Sequence, residues 1–163
     1  MRVRLTQIID FWIGVPLCFL FSILNHLKGL IFRPAAVKPR RILFIEISEM
    51  GSAVIAYSTL VQAKRLYNAE GIYFLIFEKN RESVELLGLL PPENIITIPD
   101  SSFLTFAIGA LKALLKVRRI GIDTVIDLEL FSRFTALFGF ASGAKNRVGF
   151  NNYTAEGLYR GSF

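Results

Sequence analysis

Hydrophobic and polar positions divide the chain near residue 40. Before it, Arg2 and Arg4 precede an uninterrupted apolar run over residues 11–24. Asn25, His26 and Lys28 follow, then a second short run over 29–32 and a basic, proline-containing linker with Arg33, Pro34, Lys38, Pro39, Arg40 and Arg41. The run falls short of the ~20 apolar residues that a perpendicular membrane span requires, and Pro16 predicts a kink within it. Beyond residue 40 the pattern alternates. RILFIEI (41–47) is continuous, branched and aromatic, the mark of a strand buried on both faces. Residues 52–67 carry Ala53, Ala56, Leu60, Ala63 and Tyr67 on one helical stripe. Further strands are expected at 72–77, 95–98 and 124–128, with a fifth starting at 147–148. Helices are expected at 82–87, 102–119 and 133–142, the first of these ended by Gly88 and the Pro91-Pro92 break. Such alternation predicts a parallel sheet with right-handed crossovers, a Rossmann-like doubly wound domain.

The N-terminal segment admits several readings. A cleavable signal peptide has a comparable apolar core, but no small-residue cleavage pattern follows. A tilted span with snorkelling ends, an interfacial helix and a kinked re-entrant hairpin all fit basic residues at both ends. The bland alternative is a helix packed on the globular core. The expectation is membrane association through Phe11, Trp12, Leu17, Phe19 and Phe21. The heavier C-terminal charge then places the chain at the cytoplasmic face of the inner (cytoplasmic) membrane.

Composition adds limits. The 163 residues are 53% hydrophobic, with a net charge of +6, a mean hydropathy of +0.48 and a pI near 9.7. Anionic partners suit that charge, whether lipid headgroups, phosphorylated glycolipids or nucleotides. Nucleic acid is a weaker fit and is not expected, because most of the aromatics lie inside apolar runs. The single Cys18 allows no internal disulfide, and one His with one Cys cannot build a structural zinc site. Neither a metal nor a cofactor is expected. Helix 102–119 shows apolar stripes at Phe103, Ala107, Ala110, Leu114 and Val117, and at Leu104, Ile108, Leu111 and Leu115. Thr105, Gly109, Lys112 and Lys116 form a polar ridge between them. It fits a crossover helix, or one whose outer stripe rests on anionic lipid or holds a phosphorylated glycolipid.

An open parallel sheet binds ligands beyond the C-terminal ends of its strands, where strand order reverses. With order 3-2-1-4-5, the loops after strands one and four meet there. They run Glu46-Ile47-Ser48-Glu49-Met50-Gly51-Ser52 and Asp127-Leu128-Glu129-Leu130-Phe131-Ser132-Arg133. Ser48, Gly51, Asp127, Glu129, Ser132 and Arg133 are the expected substrate-binding set. Gly51 admits close backbone approach, and the helix start favours an anion. The loop is neither GxGxxG nor a P-loop. Ser52 as a plain N-cap, Asp127 as a strand cap and Arg133–Glu129 as a solvated ion pair remain open.

The stretches ILFIEISEMGSAV, YFLIFEKN and IDTVIDLELFSRFTALFGFASGAKNRVGF resemble the first half of glycosyltransferase family 9, the lipopolysaccharide heptosyltransferases. The resemblance covers residue 41 to about 159 and is most specific in GAKNRVGF. It implies a GT-B enzyme of two Rossmann-like domains. The N-terminal one holds the acceptor sugar and a catalytic carboxylate; the C-terminal one binds the nucleotide-sugar donor, ADP-heptose in the best-known members. Two departures matter. The family carries Asp after the glycine matching Gly51, and this chain has Ser52, a poor base without an adjacent His or Lys. The chain also ends at Phe163, just past EGLYRG, where the family continues.

The resulting expectation divides the chain into a hydrophobic segment with its linker (1–40) and an acceptor-side domain (41–163), the donor-binding domain being absent. Glu49 is the expected base, Glu46 the second choice, and Ser52 a hydroxyl that positions the acceptor. The expected partners are a nucleotide-sugar, a glycolipid or lipopolysaccharide-core acceptor and a membrane surface. A non-catalytic, membrane-tethered binding or scaffold domain is the rival reading.

Overall fold

The computed structural model describes residues 12, 14–31, 37–47, 50–67, 71–129, 132–150, 158 and 161–162, with backbone alone at 26, 28–31, 50, 52–53 and 161–162. Helix α1 (Val15–Ile31) precedes strand β1 (Arg41–Ile45), helices α2 (Met50–Ile55) and α3 (Tyr57–Tyr67) and strand β2 (Gly71–Phe77). Helix α4 (Arg81–Glu85), strand β3 (Ile95–Ile98), helix α5 (Phe103–Ile120) and strand β4 (Thr124–Asp127) follow. Helix α6 (Arg133–Ala141) and strands β5 (Asn146–Gly149) and β6 (Gly161–Ser162) complete the order, with 3-10 turns at Glu78–Asn80 and Pro92–Asn94. The sheet runs β3-β2-β1-β4-β5-β6 and all its pairings are parallel.

Strand β1 shows why this sequence makes a two-sided sheet. Ile42 and Phe44 enter one core with Ala56 and with Leu60 and Ala63 of α3, while Leu43 and Ile45 enter the other with Ala113 and Val117 of α5 and Phe138 of α6. Period-two alternation with apolar residues on both faces therefore appears as an unbroken hydrophobic run. The expected helix 52–67 is instead two helices meeting at Ala56, where Val54 and Ile55 turn outward and Ala56 turns in. Adjacent β-branched residues make a helix turn stiff and weak.

In α5, Gly109, Ala113 and Val117 are buried and Phe106, Ala110 and Leu114 pack beside them. Gly109 thus belongs to the core face rather than to a polar ridge. Phe103, Leu104, Ile108, Leu111 and Leu115 are exposed. Ser102 and Thr105 form a capping box, and Gly121 at φ +74° ends the helix in the left-handed conformation that glycine adopts without strain.

The N-terminal segment requires correction. Helix α1 has 17 residues, and among the described residues no helix is long and apolar enough to cross a membrane. That finding overturns the expected location at the inner membrane. At 1.5 Å per residue such a helix reaches roughly 25 Å, short of a ~30 Å hydrocarbon core. One of its faces is also engaged: Cys18 is fully buried with Ala136 and Leu158, and Phe21 packs on Phe140 with ring centroids 5.4 Å apart. Phe21 therefore turns inward. Trp12, Leu17 and Phe19 are exposed, and Phe11 lies outside the described residues.

The linker is stitched to the domain. Asn146 Nδ2 donates to the Val37 carbonyl at 2.7 Å, and Asp123 accepts from the backbone N–H of Arg40 and Arg41 at 3.1 and 2.9 Å. The buried Arg147 donates to the carbonyls of Leu158 and Ala144, both at 2.8 Å, and to Asn25 Oδ1 of α1 at 3.1 Å. Its guanidinium also sits over the Phe140 ring.

Candidate functional site

Strands β1 and β4 lie side by side at the point where strand order reverses, with Ile45 opposite Asp127. Their C-terminal ends carry two carboxylates that water barely reaches. Glu46 is 2% exposed and Asp127 is 0% exposed. A buried carboxylate is retained only where partners compensate its lost hydration. The surrounding backbone fixes both residues: the Glu46 N–H donates to the Leu75 carbonyl at 3.1 Å, and the Leu128 N–H to the Ile45 carbonyl at 2.9 Å.

Asp127 also shapes the next loop. Its Oδ1 accepts the Glu129 N–H at 3.1 Å, which bends the chain away from the strand. Glu129, Ser132 and Arg133 are half-buried along this turn. Ser132 is the N-cap of α6, yet its hydroxyl makes no capping hydrogen bond; its carbonyl accepts the Thr135 hydroxyl at 2.8 Å. Glu46, Asp127, Glu129 and Arg133 all have further partners. Five of the expected site residues are therefore described, all in the segments that leave β1 and β4: Glu46, Asp127, Glu129, Ser132 and Arg133.

The other four stand differently. Ser48 and Glu49 lie outside the described residues, and at Ser52 only the backbone is described. Gly51 is exposed, and a Cβ built there meets nothing within 4 Å, so space around it is open. The helix that starts there has six residues rather than sixteen, so its terminal field is weaker than the expected one. Among the described residues, no three His, Cys, Asp or Glu side chains group as a metal site.

No protein-family model matches the chain, and no curated protein matches it. A solved structure does. The crystal structure of the glycosyl transferase family 9 from Veillonella parvula DSM 2008 aligns with a TM-score of 0.66 at 16% identity, over 78% of this chain and 37% of that one. The chain has the fold of part of a family 9 glycosyltransferase. At this identity the likeness concerns the fold, and the chain spans 37% of the neighbour's length. Within that fold, the crevice beside β1 and β4 is where an open sheet presents ligands.

Two features escaped the sequence reading. The Asp123, Asn146 and Arg147 clasp involves partners more than 75 residues away along the chain, apart from the Arg147 bonds to Ala144 and Leu158. A groove along the β3 edge was also missed, although prolines on both sides of a four-residue strand mark an edge strand.

Proposed function

We propose that residues 41–163 are the acceptor-side domain of a two-domain glycosyltransferase. The reaction transfers a heptose-like sugar from a nucleotide-sugar to a lipid or lipopolysaccharide-core acceptor. The observation that carries this reading is the pair of buried carboxylates, Glu46 and Asp127, at the switch point of a sheet with this fold. A carboxylate of the Glu46–Ser52 loop takes the proton of an acceptor hydroxyl. That oxygen bonds to the sugar's anomeric carbon as the carbon–diphosphate bond breaks, and the electron pair leaves with the nucleoside diphosphate. Glu49 is the proposed base and Glu46 the alternative. Asp127, Glu129, Ser132 and Arg133 hold the acceptor, and Ser52 positions it. The donor is bound by a second domain.

Acceptor binding tests this. Saturation-transfer NMR of the chain with a lipopolysaccharide-core oligosaccharide should show contact, and Glu46→Gln or Asp127→Asn should weaken it about tenfold, the scale of a lost charged hydrogen bond. No contact, or equal contact with a neutral maltotriose, rejects the reading. Ser52, where the family pattern has Asp, favours a second one: a degenerate, non-catalytic binding domain. Core-oligosaccharide contact that is indifferent to both carboxylate substitutions is its signature.

A further inference from the structure

The face of a crossover helix opposite the core is ordinarily polar, because water meets it. In α5 it is apolar. Gly109, Ala113 and Val117 are buried, and on the opposite side Leu104, Ile108, Leu111 and Leu115 stand 46–68% exposed. Helix α1 repeats the arrangement. Cys18 and Phe21 dock on α6, while on the other face Leu20, Ile23, Leu24 and Leu27 are 40–51% exposed. Helix α6 touches both: Phe134 packs on Phe106 of α5 with ring centroids 4.8 Å apart, and Phe140 packs on Phe21 of α1. Singly exposed leucines are ordinary, but two neighbours of one helix that both turn an apolar stripe outward mark a contact surface.

The charges beside these stripes decide what covers them. Helices α1 and α6 run the same way, since Cys18 lies with Ala136 and Phe21 with Phe140. Arg118 Nε, at the end of α5, donates to the Ala141 carbonyl at the end of α6 at 2.9 Å. The three helices therefore finish together, at the end of the sheet where β1, β4 and β5 begin. There Lys38, Arg40, Arg118, Arg119 and Lys145 are exposed. Asp123 is the carboxylate described in these segments, and it already accepts from the N–H groups of Arg40 and Arg41 and from the Thr124 hydroxyl. Neither α1 nor α5 contains Asp or Glu. Lys112 and Lys116 do not enter this balance, because Glu78 and Glu93 stand with them in the groove along β3. An apolar surface bordered by a net positive rim matches the boundary between acyl chains and anionic headgroups. A second copy of the chain presents no carboxylate on these helices to answer the rim. Contact along a surface also requires no helix of spanning length.

We propose that the outer faces of α1 and α5 lie on an anionic lipid surface, their leucines and isoleucines among the upper acyl carbons and the basic rim against the headgroups. Apolar burial supplies affinity, and the rim supplies the preference for anionic lipid. Glu46 and Asp127 lie at the other end of β1 and β4, so the inference does not depend on the transferase reading.

Flotation of the full chain with lipid vesicles tests this. Binding to equimolar phosphatidylcholine–phosphatidylglycerol vesicles should be roughly tenfold or more tighter than to phosphatidylcholine alone, and should weaken with salt. Trp12, the sole tryptophan and 72% exposed, should shift its emission to the blue on binding. The double variants Leu111→Gln/Leu115→Gln and Arg119→Glu/Lys145→Glu should each lose roughly tenfold or more in affinity for the anionic vesicles. All four side chains are exposed, so the urea midpoints should stay those of the parent. The proposal is overturned by no flotation with anionic vesicles at low salt, by equal binding to the neutral ones, or by full affinity in either double variant. A dimer in sedimentation that Leu111→Gln/Leu115→Gln dissociates, without vesicle binding by the parent, also overturns it and makes the face a contact between copies.

Discussion

Two glycines show how differently one residue type behaves in this chain. At Gly109 a methyl group would meet the Pro99 ring at 2.3 and 2.8 Å, and a proline ring at a strand end has no rotamer by which to retreat. Gly109→Ala gains about 1 kcal/mol of helix propensity but costs ~1–3 kcal/mol in overpacking. With a contact this short the overpacking wins, and a net loss of about 1–2 kcal/mol should appear as a lower urea midpoint. Gly51→Ala meets open space, so its propensity gain stands alone: stability should hold or rise by up to ~1 kcal/mol, and the midpoint should not fall. A fall at Gly51 larger than at Gly109 contradicts the packing described. The sequence suggested the reverse emphasis. It marked Gly51 because a strand–loop–helix turn is visible locally, and it put Gly109 among polar positions because periodicity counts a glycine as non-apolar. The decisive neighbour, Pro99, becomes visible only once α5 is seated on β3. Asp127 and Glu46 were legible for the opposite reason, as charged residues directly after apolar strands.

Among the elements, β1 and α1 mark the two limits of pattern reading. In β1 an unbroken apolar run was enough, because burial on both faces is what such a run requires. In α1 the polar Asn25, His26 and Lys28 come only toward the C-terminal end, so the apolar run before them has no phase to mark which face packs. Its docking residues Cys18 and Phe21 were therefore indistinguishable from the exposed Leu17 and Phe19. The fixing contact is polar: Arg147, buried under Phe140, donates to Asn25 Oδ1. Asn25→Ala leaves one guanidinium donor short of that acceptor, so a loss of about 1–2 kcal/mol is expected in urea denaturation. A chain beginning at Lys38 should suffer more, because it also uncovers Ala136 and Phe140. It should bind more of a hydrophobic dye and melt at a lower temperature. An unchanged melting temperature in both variants shows that α1 adds nothing to the domain's stability.

For the whole molecule, strand–helix alternation together with right-handed crossovers leaves few topologies, and the expected order 3-2-1-4-5 is observed. The sixth strand escaped notice because two residues, Gly161 and Ser162, carry no period. That topology also sets the last prediction. A sheet of this order has one switch point, between β1 and β4, and the segments leaving these two strands carry Glu46, Asp127 and Glu129. Three carboxylates with one guanidinium, Arg133, make a poor seat for a diphosphate, which carries at least two negative charges of its own. The loop into α2 has neither a GxGxxG nor a P-loop pattern to supply a ring of backbone N–H groups. A sugar acceptor suits the same groups, because hydroxyls donate to carboxylates. Nucleotide-sugars should therefore gain little from this chain. Titrating ADP-heptose or a uridine diphosphate sugar into it calorimetrically should give no heat beyond dilution, and no sugar should be transferred to a core oligosaccharide acceptor. Binding tighter than about 10 µM, equivalent to roughly 7 kcal/mol, would place donor recognition in this chain and end its assignment to the acceptor side.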